Sequence, residues 1–353
     1  MNTAYLLVTD LHYNARKEHR INYLGEVVSV LEQVLGVCNK YRAQGYSPKL
    51  IFLGDVIDSS MNTADDAMRC LDVFRFVADS VDGVYTVLGN HEQHNIKGNP
   101  FWYLVSNLED PALSGLMKAI QPQSLNGVFS VPDTIQDGNL TIYFNHYGIA
   151  PKVPEGVGVH IGLFHQNVGS AEITKMWGAF DDVEKVSYVR SYNYCYFGHM
   201  HLAQGKYYIG NDNTCIGEWL GSCVGTNITE VQELPSELNI PTILVQDGKF
   251  ISVEDNYVKR VPFEEAVDQQ KLRLTQNTKE LIAASKELAI KDVRLTTLFD
   301  QVAQVAKENN IGYLVTILQM SPADILSTYK RELSAAVAPE VTTTNDGVDV
   351  EYG

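Results

Sequence analysis

Short apolar segments that end in a polar residue recur along the first part of this chain. Residues 4–9 form a nearly continuous apolar run that leads directly to Asp10. Two further apolar runs, at residues 50–53 and 84–88, end in the same way. Runs of this length and composition predict strands that are buried on both faces. Because such strands need helices to cover them, this pattern favours an α/β fold.

Helical periodicity lies between these predicted strands. Apolar residues recur at helical spacing across residues 23–42 and again across residues 67–77. The predicted order is therefore β-α-β-α-β, which is typical of a parallel sheet with crossover helices. In open α/β sheets, ligands bind beyond the carboxyl ends of the strands. We therefore expect the polar residues that follow these strands to share one site.

Five short motifs supply the strand-end residues. They are Asp10-Leu11-His12, Gly54-Asp55-Val56-Ile57-Asp58, Gly89-Asn90-His91-Glu92, Phe164-His165-Gln166 and Gly198-His199-Met200-His201. Strands predicted at residues 159–164 and 194–197 lead to the last two motifs. Taken singly, a motif of this kind also fits a helix cap or a hydrogen-bonded loop residue. Together, in this order and at strand ends, the motifs predict ligands for two adjacent divalent cations.

A pair of cations needs one carboxylate that can bridge them, together with oxygen and imidazole donors. Asp55 is the natural bridge, since it follows a glycine at a strand end. Asp10 and His12 are two residues apart, so both can face one cation where the strand ends. His199 and His201 have the same spacing. The other predicted donors are the amide oxygen of Asn90 and the imidazole of His165.

The five motifs resemble those of the calcineurin-like metallophosphoesterase superfamily. They are most similar to those of the SbcD-type nuclease subunit of the SbcCD complex and its phage counterparts. In that branch a Gln follows the His of the fourth motif, as Gln166 follows His165 in this chain. Residues 196–201 of this chain also resemble the last motif of that branch. The resemblance covers residues 4–225. It implies a four-layer α-β-β-α sandwich with a small α+β capping region and C-terminal helices.

The resemblance also implies roles for individual residues. The residues that would hold one cation are Asp10, His12, Asp55 and His201. Those that would hold the other are Asp55, Asn90, His165 and His199. His91 would be the catalytic residue that stabilises the transition state or protonates the leaving oxygen. Manganese is the usual cation in this family, with Mg²⁺, Fe²⁺ or Zn²⁺ as alternatives.

Two positions differ from the family pattern or vary within it. Glu92 stands where the family usually has Asp, which we interpret as a tolerated change close to the ligands. Asp58 stands where some nuclease homologues have a His and others an Asp. The sequence leaves two roles open for Asp58: partner of a metal ligand, or cap at the start of a helix.

The resemblance and a composition shift near Pro262 divide the chain into four parts. They are a catalytic domain at 1–230, capping strands at 231–263, a helical segment at 264–335 and a disordered tail at 336–353. The resemblance predicts that the helical segment binds an SbcC-type ABC ATPase. Alternatively, these helices pack on their own domain. A homodimer, common in the resembled family, is also expected.

Composition and charge limit the possible partners. The 353-residue chain has a formal charge of −16, whereas proteins with a broad nucleic-acid footprint are usually basic. No run of apolar residues is long enough for a membrane helix, and the N-terminus lacks the features of a signal peptide. The five cysteines are odd in number and form no CxxC pair, so we expect buried thiols in a reducing cytoplasm.

One basic cluster follows the first motif. Arg16, Lys17 and Arg20 lie in the segment that leaves the predicted metal centre. Such a run is usually a solvated surface, but here it is also a candidate for contact with a phosphate backbone. If the substrate is DNA, we expect the chain to hold it through the metals and a few such residues.

Three functions compete at this stage. The first is a DNA exo/endonuclease subunit that acts with the ATPase in repair or recombination. The second is a small-molecule phosphodiesterase acting on a cyclic or dinucleotide substrate, for which Trp102 and Tyr103 could shape a nucleoside pocket. The third is a binding module with an inactive metal centre, which the complete set of ligands and His91 disfavours.

Overall fold

The computed structural model divides the chain into two compact units, Met1–Val267 and Asp268–Gly353. The residues that it describes are 1–13, 20–58, 64–94, 100–109, 127–166, 168–169, 184–185, 189, 191–202, 205–209, 215–226, 228–269 and 280. Most of the helical segment predicted at 264–335, and all of the tail predicted at 336–353, lie outside these ranges. Within them, no helix has the length and apolar character needed to cross a bilayer.

Strands and helices alternate up to residue 94, and a short helix and two strands follow. These elements are β1 (Thr3–Val8), α1 (Tyr23–Ala43), β2 (Ser47–Phe52), α2 (Ala64–Asp79), β3 (Val84–Thr86), α3 (Asn90–His94), α4 (Phe101–Leu104), β4 (Val105–Leu108) and β5 (Phe129–Val131). The predicted β-α-β-α-β order is confirmed, with boundaries that shift by a few residues.

Strands dominate the elements that follow. They are β6 (Thr134–Asp137), β7 (Leu140–Asn145), β8 (Val159–Phe164), β9 (Val168–Gly169), β10 (Glu184–Lys185), β11 (Tyr194–Phe197), β12 (Gly205–Ile209) and β13 (Cys215–Trp219). The described part then ends with α5 (Ile228–Glu233), β14 (Glu237–Asn239), β15 (Thr242–Gln246), β16 (Lys249–Glu254), β17 (Tyr257–Lys259) and α6 (Phe263–Ala266).

The first sheet has seven strands in the order β16-β15-β1-β2-β3-β5-β4. From β1 to β4 all neighbouring strands are parallel, and α1 and α2 make the crossovers from β1 to β2 and from β2 to β3. Asn22 caps the N-terminus of α1: its side chain accepts a hydrogen bond from the Gly25 N–H (3.0 Å). Acidic Glu26 lies in the first turn of α1 and basic side chains lie in the last, as the helix dipole favours.

Strand β1 shows how the first sheet is buried on both faces. Ala4, Leu6 and Val8 belong to the core beneath α1 and α2. Tyr5 and Leu7 point to the opposite face, where the second sheet packs. Because side chains alternate along a strand, a continuous apolar run is what a strand in this position requires.

The second sheet has six strands in the order β12-β13-β11-β8-β7-β6. Its four central strands are parallel, and the two edge strands are antiparallel to their neighbours. The core between the two sheets consists mainly of aliphatic side chains from both: Leu7, Ile51, Leu53, Val87, Ile142, Ile161 and Leu163. The two sheets are therefore held face to face by apolar packing.

The outer face of the second sheet carries a stack of aromatic rings. Phe197 stacks on Phe164 (5.2 Å between ring centroids) and on Trp219 (4.4 Å). Val189 and Tyr192 complete this cluster. One helical layer and both sheet layers thus lie within the described residues, and the helical layer expected over this outer face falls outside them. The α/β architecture predicted from the sequence is confirmed.

Strands β15 and β16 differ from their expected place. The sequence predicts a separate capping region at 231–263, but β15 pairs with β1 and β16 with β15, so both extend the first sheet. Ile243 and Val245 face the second sheet, whereas Leu244 faces the helical layer. A strand that is apolar on both faces is stable inside a covered sheet, which explains the difference. The two strands are joined by a tight turn in which Asp247 and Gly248 both have positive φ.

The five cysteines are buried free thiols. Burial raises the pKa of Cys38 and of Cys223 to about 12, so these thiols stay protonated near neutral pH. They therefore serve as small apolar side chains, in agreement with the expectation from the sequence.

Candidate metal centre

The five motifs lie in loops at one edge of the two sheets. They follow β1, β2 and β3 in the first sheet and β8 and β11 in the second. Within each sheet these strands are parallel, so their carboxyl ends lie at the same edge. The two edges meet, as the contact between Asp55 of the first sheet and His165 of the second shows. Asp10 likewise accepts a hydrogen bond from the N–H of His199 (3.0 Å).

Four of the predicted ligands have an unusual backbone conformation. Their φ angles are 45° at Asp10, 47° at His12, 47° at Asp55 and 76° at His199. Among the described non-glycine residues, only Asp247 in the β15–β16 turn also has positive φ. Such conformations cost roughly 1–3 kcal/mol each and persist only where neighbouring structure imposes them. Their concentration at the predicted ligands indicates that the chain is strained here to orient side chains for function.

One group of side chains gathers around the Nε2 atoms of two histidines. His12 Nε2 and His201 Nε2 are 2.8 Å apart. Asp10 Oδ1 lies 3.8 Å from the first nitrogen and 3.6 Å from the second. Asp55 Oδ2 lies 3.7 Å from His12 Nε2. The structure thus brings together the four residues that the resemblance assigns to one cation.

A second group shares Asp55 with the first. His165 Nε2 lies 3.2 Å from Asp55 Oδ2 and 3.1 Å from Asn90 Oδ1. The His199 ring is 5.1 Å from the His165 ring, between centroids. These are the four residues that the resemblance assigns to the other cation.

Three of the four predicted histidine ligands are oriented as metal-binding histidines usually are. His165 Nδ1 contacts a backbone carbonyl (2.5 Å), His12 Nδ1 contacts Asp58 (3.1 Å), and His201 Nδ1 contacts Glu230 (3.1 Å). With Nδ1–H donated in this way, the lone pair on Nε2 points into the cluster. The donor set and its orientation therefore fit divalent cations.

Asp55 is the point at which the two groups join. Its side chain is 1% exposed. Oδ1 accepts a hydrogen bond from the N–H of His91 (3.0 Å), which fixes the carboxylate. Oδ2 is the atom that faces both groups, toward His12 on one side and His165 on the other. This is the arrangement expected of a carboxylate that bridges two cations about 3.5–4 Å apart.

The glycines of the second and third motifs are needed for this close packing. A Cβ atom at Gly54, where φ is 88°, would lie 2.3 Å from His165 Nδ1. A Cβ atom at Gly89 would lie 2.1 Å from Asp55 Oδ1. Any side chain at either position would displace a predicted ligand.

Comparison with known proteins agrees with this geometry. The family model described as calcineurin-like phosphoesterase matches residues 4–203, which is more than half of the chain. The chain belongs to this family. The clustered donors support a site for two divalent cations.

Solved structures match this chain at low identity and low TM-score. A 5′-nucleotidase precursor from Thermus thermophilus is 12% identical, with a TM-score of 0.37 over 81% of this chain and 60% of that chain. A dimetal phosphatase from Danio rerio is 15% identical, with a TM-score of 0.39 over 73% of this chain and 99% of that one. The chain spans less than two thirds of the length of the nucleotidase chain. No curated protein matched its sequence.

Electrostatics in the centre are dominated by its carboxylates. Burial would raise the pKa of Asp55, but the imidazoles of His165 and His12 outweigh burial and lower it. Burial would lower the pKa of His12, but its contacts with Asp10 and other carboxylates raise it to about 10. Burial would also lower the pKa of His165, but Asp55 raises it to about 9. In the metal-free protein these two histidines therefore carry the positive charge that cations would otherwise supply.

Glu92 clamps the loop that carries Asp55. Its fully buried carboxylate accepts hydrogen bonds from four backbone N–H groups, those of Gly89 (2.9 Å), Asp55 (3.0 Å), Val56 (2.8 Å) and Ile57 (3.2 Å). Burial and the nearby Asp55 raise the pKa of Glu92 to about 7. The glutamate at this position thus ties the second and third motifs together, which the sequence alone did not indicate.

His91 and Asp58 lie on the open side of the centre. The His91 side chain is 30% exposed, and its Nε2 lies 4.0 Å from Asp55 Oδ2. Its Nδ1 contacts the backbone carbonyl of Asp58 (2.5 Å) and lies 3.4 Å from Asp58 Oδ1. The same carboxylate oxygen is 3.1 Å from His12 Nδ1. Of the two roles left open for Asp58, the structure supports contact with a ligand.

Glu230 was not found by sequence reasoning. It lies in α5, far along the chain from every motif, and its Oε2 contacts His201 Nδ1 (3.1 Å). The same oxygen accepts hydrogen bonds from the N–H and the hydroxyl of Thr226 (2.7 and 2.8 Å). Burial would raise the pKa of Glu230, but the contact with His201 lowers it to about 2. Glu230 is therefore an anionic group that orients His201.

The basic cluster is only partly described. Arg16 and Lys17 lie outside the described residues. The Arg20 side chain is 1% exposed; it is paired with Glu26 and donates to the carbonyl of Gly225 (2.5 Å). In this structure Arg20 is thus used for packing and is not presented to a substrate.

Trp102 and two histidines outside the five motifs have structural contacts. Trp102 is 4% exposed and donates to the carbonyl of Glu92 (3.2 Å), so it does not line an open pocket. His146 is buried, and its Nδ1 accepts from the N–H of Leu88 (3.1 Å). His160 contacts the hydroxyl of Tyr143 (3.3 Å).

We predict that Glu230→Gln weakens one cation site selectively. The substitution keeps the shape of the side chain but removes the negative charge that orients His201. Loss of such a partner typically costs about 10–100-fold in metal affinity. In a calorimetric titration with Mn²⁺, the affinity of the site that contains His201 should fall by this factor. The affinity of the other site should be unchanged. Glu233→Gln, an exposed position in the same helix, is the control. Equal affinities in both variants and the wild type would contradict this role.

We also predict that metal binding releases protons. Imidazole binds metals in its neutral form, whereas the raised pKa values of about 10 for His12 and about 9 for His165 keep both protonated at pH 7.5. Affinity for Mn²⁺ should therefore rise between pH 6.5 and 9, by roughly tenfold per unit for each proton displaced. Calorimetry in buffers of different ionisation enthalpy measures this release. Binding heats independent of the buffer, with a flat pH profile, would contradict the prediction.

Proposed function

We propose that this phosphoesterase hydrolyses phosphodiester bonds in DNA, as an SbcD-like exo/endonuclease subunit in repair or recombination. The observation that carries the proposal is the shared Asp55 carboxylate between two donor groups, with His91 beside it on the exposed side. Together these features support in-line displacement at phosphorus, with a proton donor close to the reacting atoms.

The chain's own residues have distinct tasks in this proposal. Asp10, His12 and His201 would hold one cation, and Asn90, His165 and His199 the other, with Asp55 shared between them. When bound, the cations would polarise the phosphoryl group and activate water. Manganese is the proposed metal because the ligand set mixes nitrogen and oxygen donors.

His91 is the proposed catalytic residue. Its Nδ1–H is held by the Asp58 carbonyl, so Nε2 faces the centre. In its protonated form, Nε2–H can donate a proton to the leaving oxygen as the phosphorus–oxygen bond breaks. Asp58, whose carboxylate lies between His91 and His12, would keep both rings in position.

Two features support the nuclease branch in particular. Gln166 follows His165, and residues 196–201 match the last motif of the SbcD-type nucleases. By the same resemblance, an SbcC-type ABC ATPase is the proposed partner of residues 264–335. A homodimer is proposed on the same ground.

A small-molecule phosphodiesterase, acting on a cyclic or dinucleotide substrate, is the second candidate. It is favoured by the formal charge of −16 and by the burial of Arg20. Of the three basic residues proposed to contact the phosphate backbone, Arg20 is the one described, and it is buried and paired with Glu26. A small substrate would not need a basic surface beyond the metal centre.

The proposal is tested by Mn²⁺-dependent hydrolysis of two substrates, end-labelled duplex DNA and bis-p-nitrophenyl phosphate. We expect the wild type to cleave both. His91→Ala should lose about 10²–10⁴-fold in kcat, because a general acid typically contributes that much. Metal content, measured in the same samples, should be unchanged because His91 is not a predicted ligand.

The outcomes separate the candidates. Cleavage of the diester with intact DNA, also after addition of an SbcC-type ATPase, would favour the small-molecule substrate. Full activity of His91→Ala would contradict the assigned role of His91. Failure of the metal-loaded wild type to hydrolyse any diester would contradict phosphodiester hydrolysis itself.

A further inference from the structure

Tyr147 lies beside the second group of donors, outside all five motifs. Its ring centroid is 5.6 Å from that of His199 and 6.5 Å from that of His165. The residue is half-buried and lies at the edge of the centre. Among the described residues, its contacts with His165 and His199 place a phenol ring beside the imidazoles of two predicted ligands.

The turn that carries Tyr147 is held by a residue of the fourth motif. Gln166 is 3% exposed, and its Nε2 donates to the carbonyls of His146 (2.7 Å) and Ile149 (2.8 Å). These carbonyls flank Tyr147 on both sides. Because Gln166 directly follows His165, the position of Tyr147 is fixed relative to a predicted ligand.

Gln93, in helix α3, holds the same turn from the other side. Gln93 Nε2 donates to the carbonyl of Tyr147 (2.6 Å). The N–H of Tyr147 donates to the carbonyl of Leu88 at the end of the third-motif strand (2.9 Å). Gly148, with φ of 68°, lets the chain reverse immediately after Tyr147. Loops from both sheets therefore fix a half-buried tyrosine at the centre.

We propose that Tyr147 is a specificity-determining residue that stacks on the nucleobase next to the phosphate at the second group of donors. This inference rests on the proposed function, which supplies the phosphate, and adds the residue that selects nucleotides in preference to alkyl phosphates. A tyrosine ring offers a flat apolar face with few rotatable bonds, and every nucleobase has a matching face. Two buried or partly buried glutamines anchor the turn, which is the preorganisation that such a contact needs.

The test measures equilibrium binding, so that it does not depend on turnover. Dissociation constants of thymidine 5′-monophosphate and of ethyl phosphate are measured by calorimetry on the Mn²⁺-loaded protein. The two probes carry the same phosphate group, and they differ in the nucleoside. In the wild type we expect tighter binding of the nucleotide.

Tyr147→Ala should reduce the preference for the nucleotide by about tenfold, within the range found when a stacking aromatic is removed. Tyr147→Phe, which keeps the ring, should retain the preference. Tyr257→Ala is the matched control, since Tyr257 is 60% exposed in β17 and outside the metal centre.

Three results would overturn the inference. They are no preference for the nucleotide in the wild type, an equal loss for both probes in Tyr147→Ala, and loss of bound metal in Tyr147→Ala. The last two would mean that Tyr147 only supports His199. A preference that depends on the ring, in a protein that hydrolyses no diester, would keep this inference and reject the proposed activity.

Discussion

A single buried carboxylate determines how the rest of this molecule is arranged. Asp55 must present one oxygen to two groups of donors, although burial makes an unpaired carboxylate costly. Its other oxygen is satisfied by the N–H of His91, and its own loop is held by the buried carboxylate of Glu92. The positive φ at Asp55 and the absence of a side chain at Gly54 and Gly89 follow from the same requirement. Change at any of these positions moves the atom that both groups share.

The two-sheet architecture is what makes this sharing possible. The first sheet supplies Asp10, His12, Asp55 and Asn90, and the second supplies His165, His199 and His201. Neither sheet alone holds a complete set of donors for either cation. The apolar core between the sheets therefore acts on the chemistry, because it fixes the distance between two independent strand edges. The geometry of this centre depends on that core as much as on the donors.

Much of this centre could be predicted from the sequence, because its donors follow buried strands. A strand that is apolar on both faces can be recognised locally, and the residue after it must lie at the edge of the sheet. Glu230 could not be found in this way, since its contact with His201 depends on how α5 packs. The same holds for the contact between Gln166 and the turn that carries Tyr147, because Gln166 binds backbone carbonyls of that turn. The place of β15 in the first sheet was also missed, because pairing with β1 is a long-range contact that no local pattern specifies.

The central claim is that the two groups hold a pair of cations bridged by Asp55. Electron paramagnetic resonance of the Mn²⁺-loaded protein, combined with metal analysis, tests it most directly. The account predicts two manganese ions per chain with a spin-coupled spectrum, and loss of the coupling in Asp55→Asn. One ion per chain, or two ions with the spectrum of isolated Mn²⁺, would contradict it.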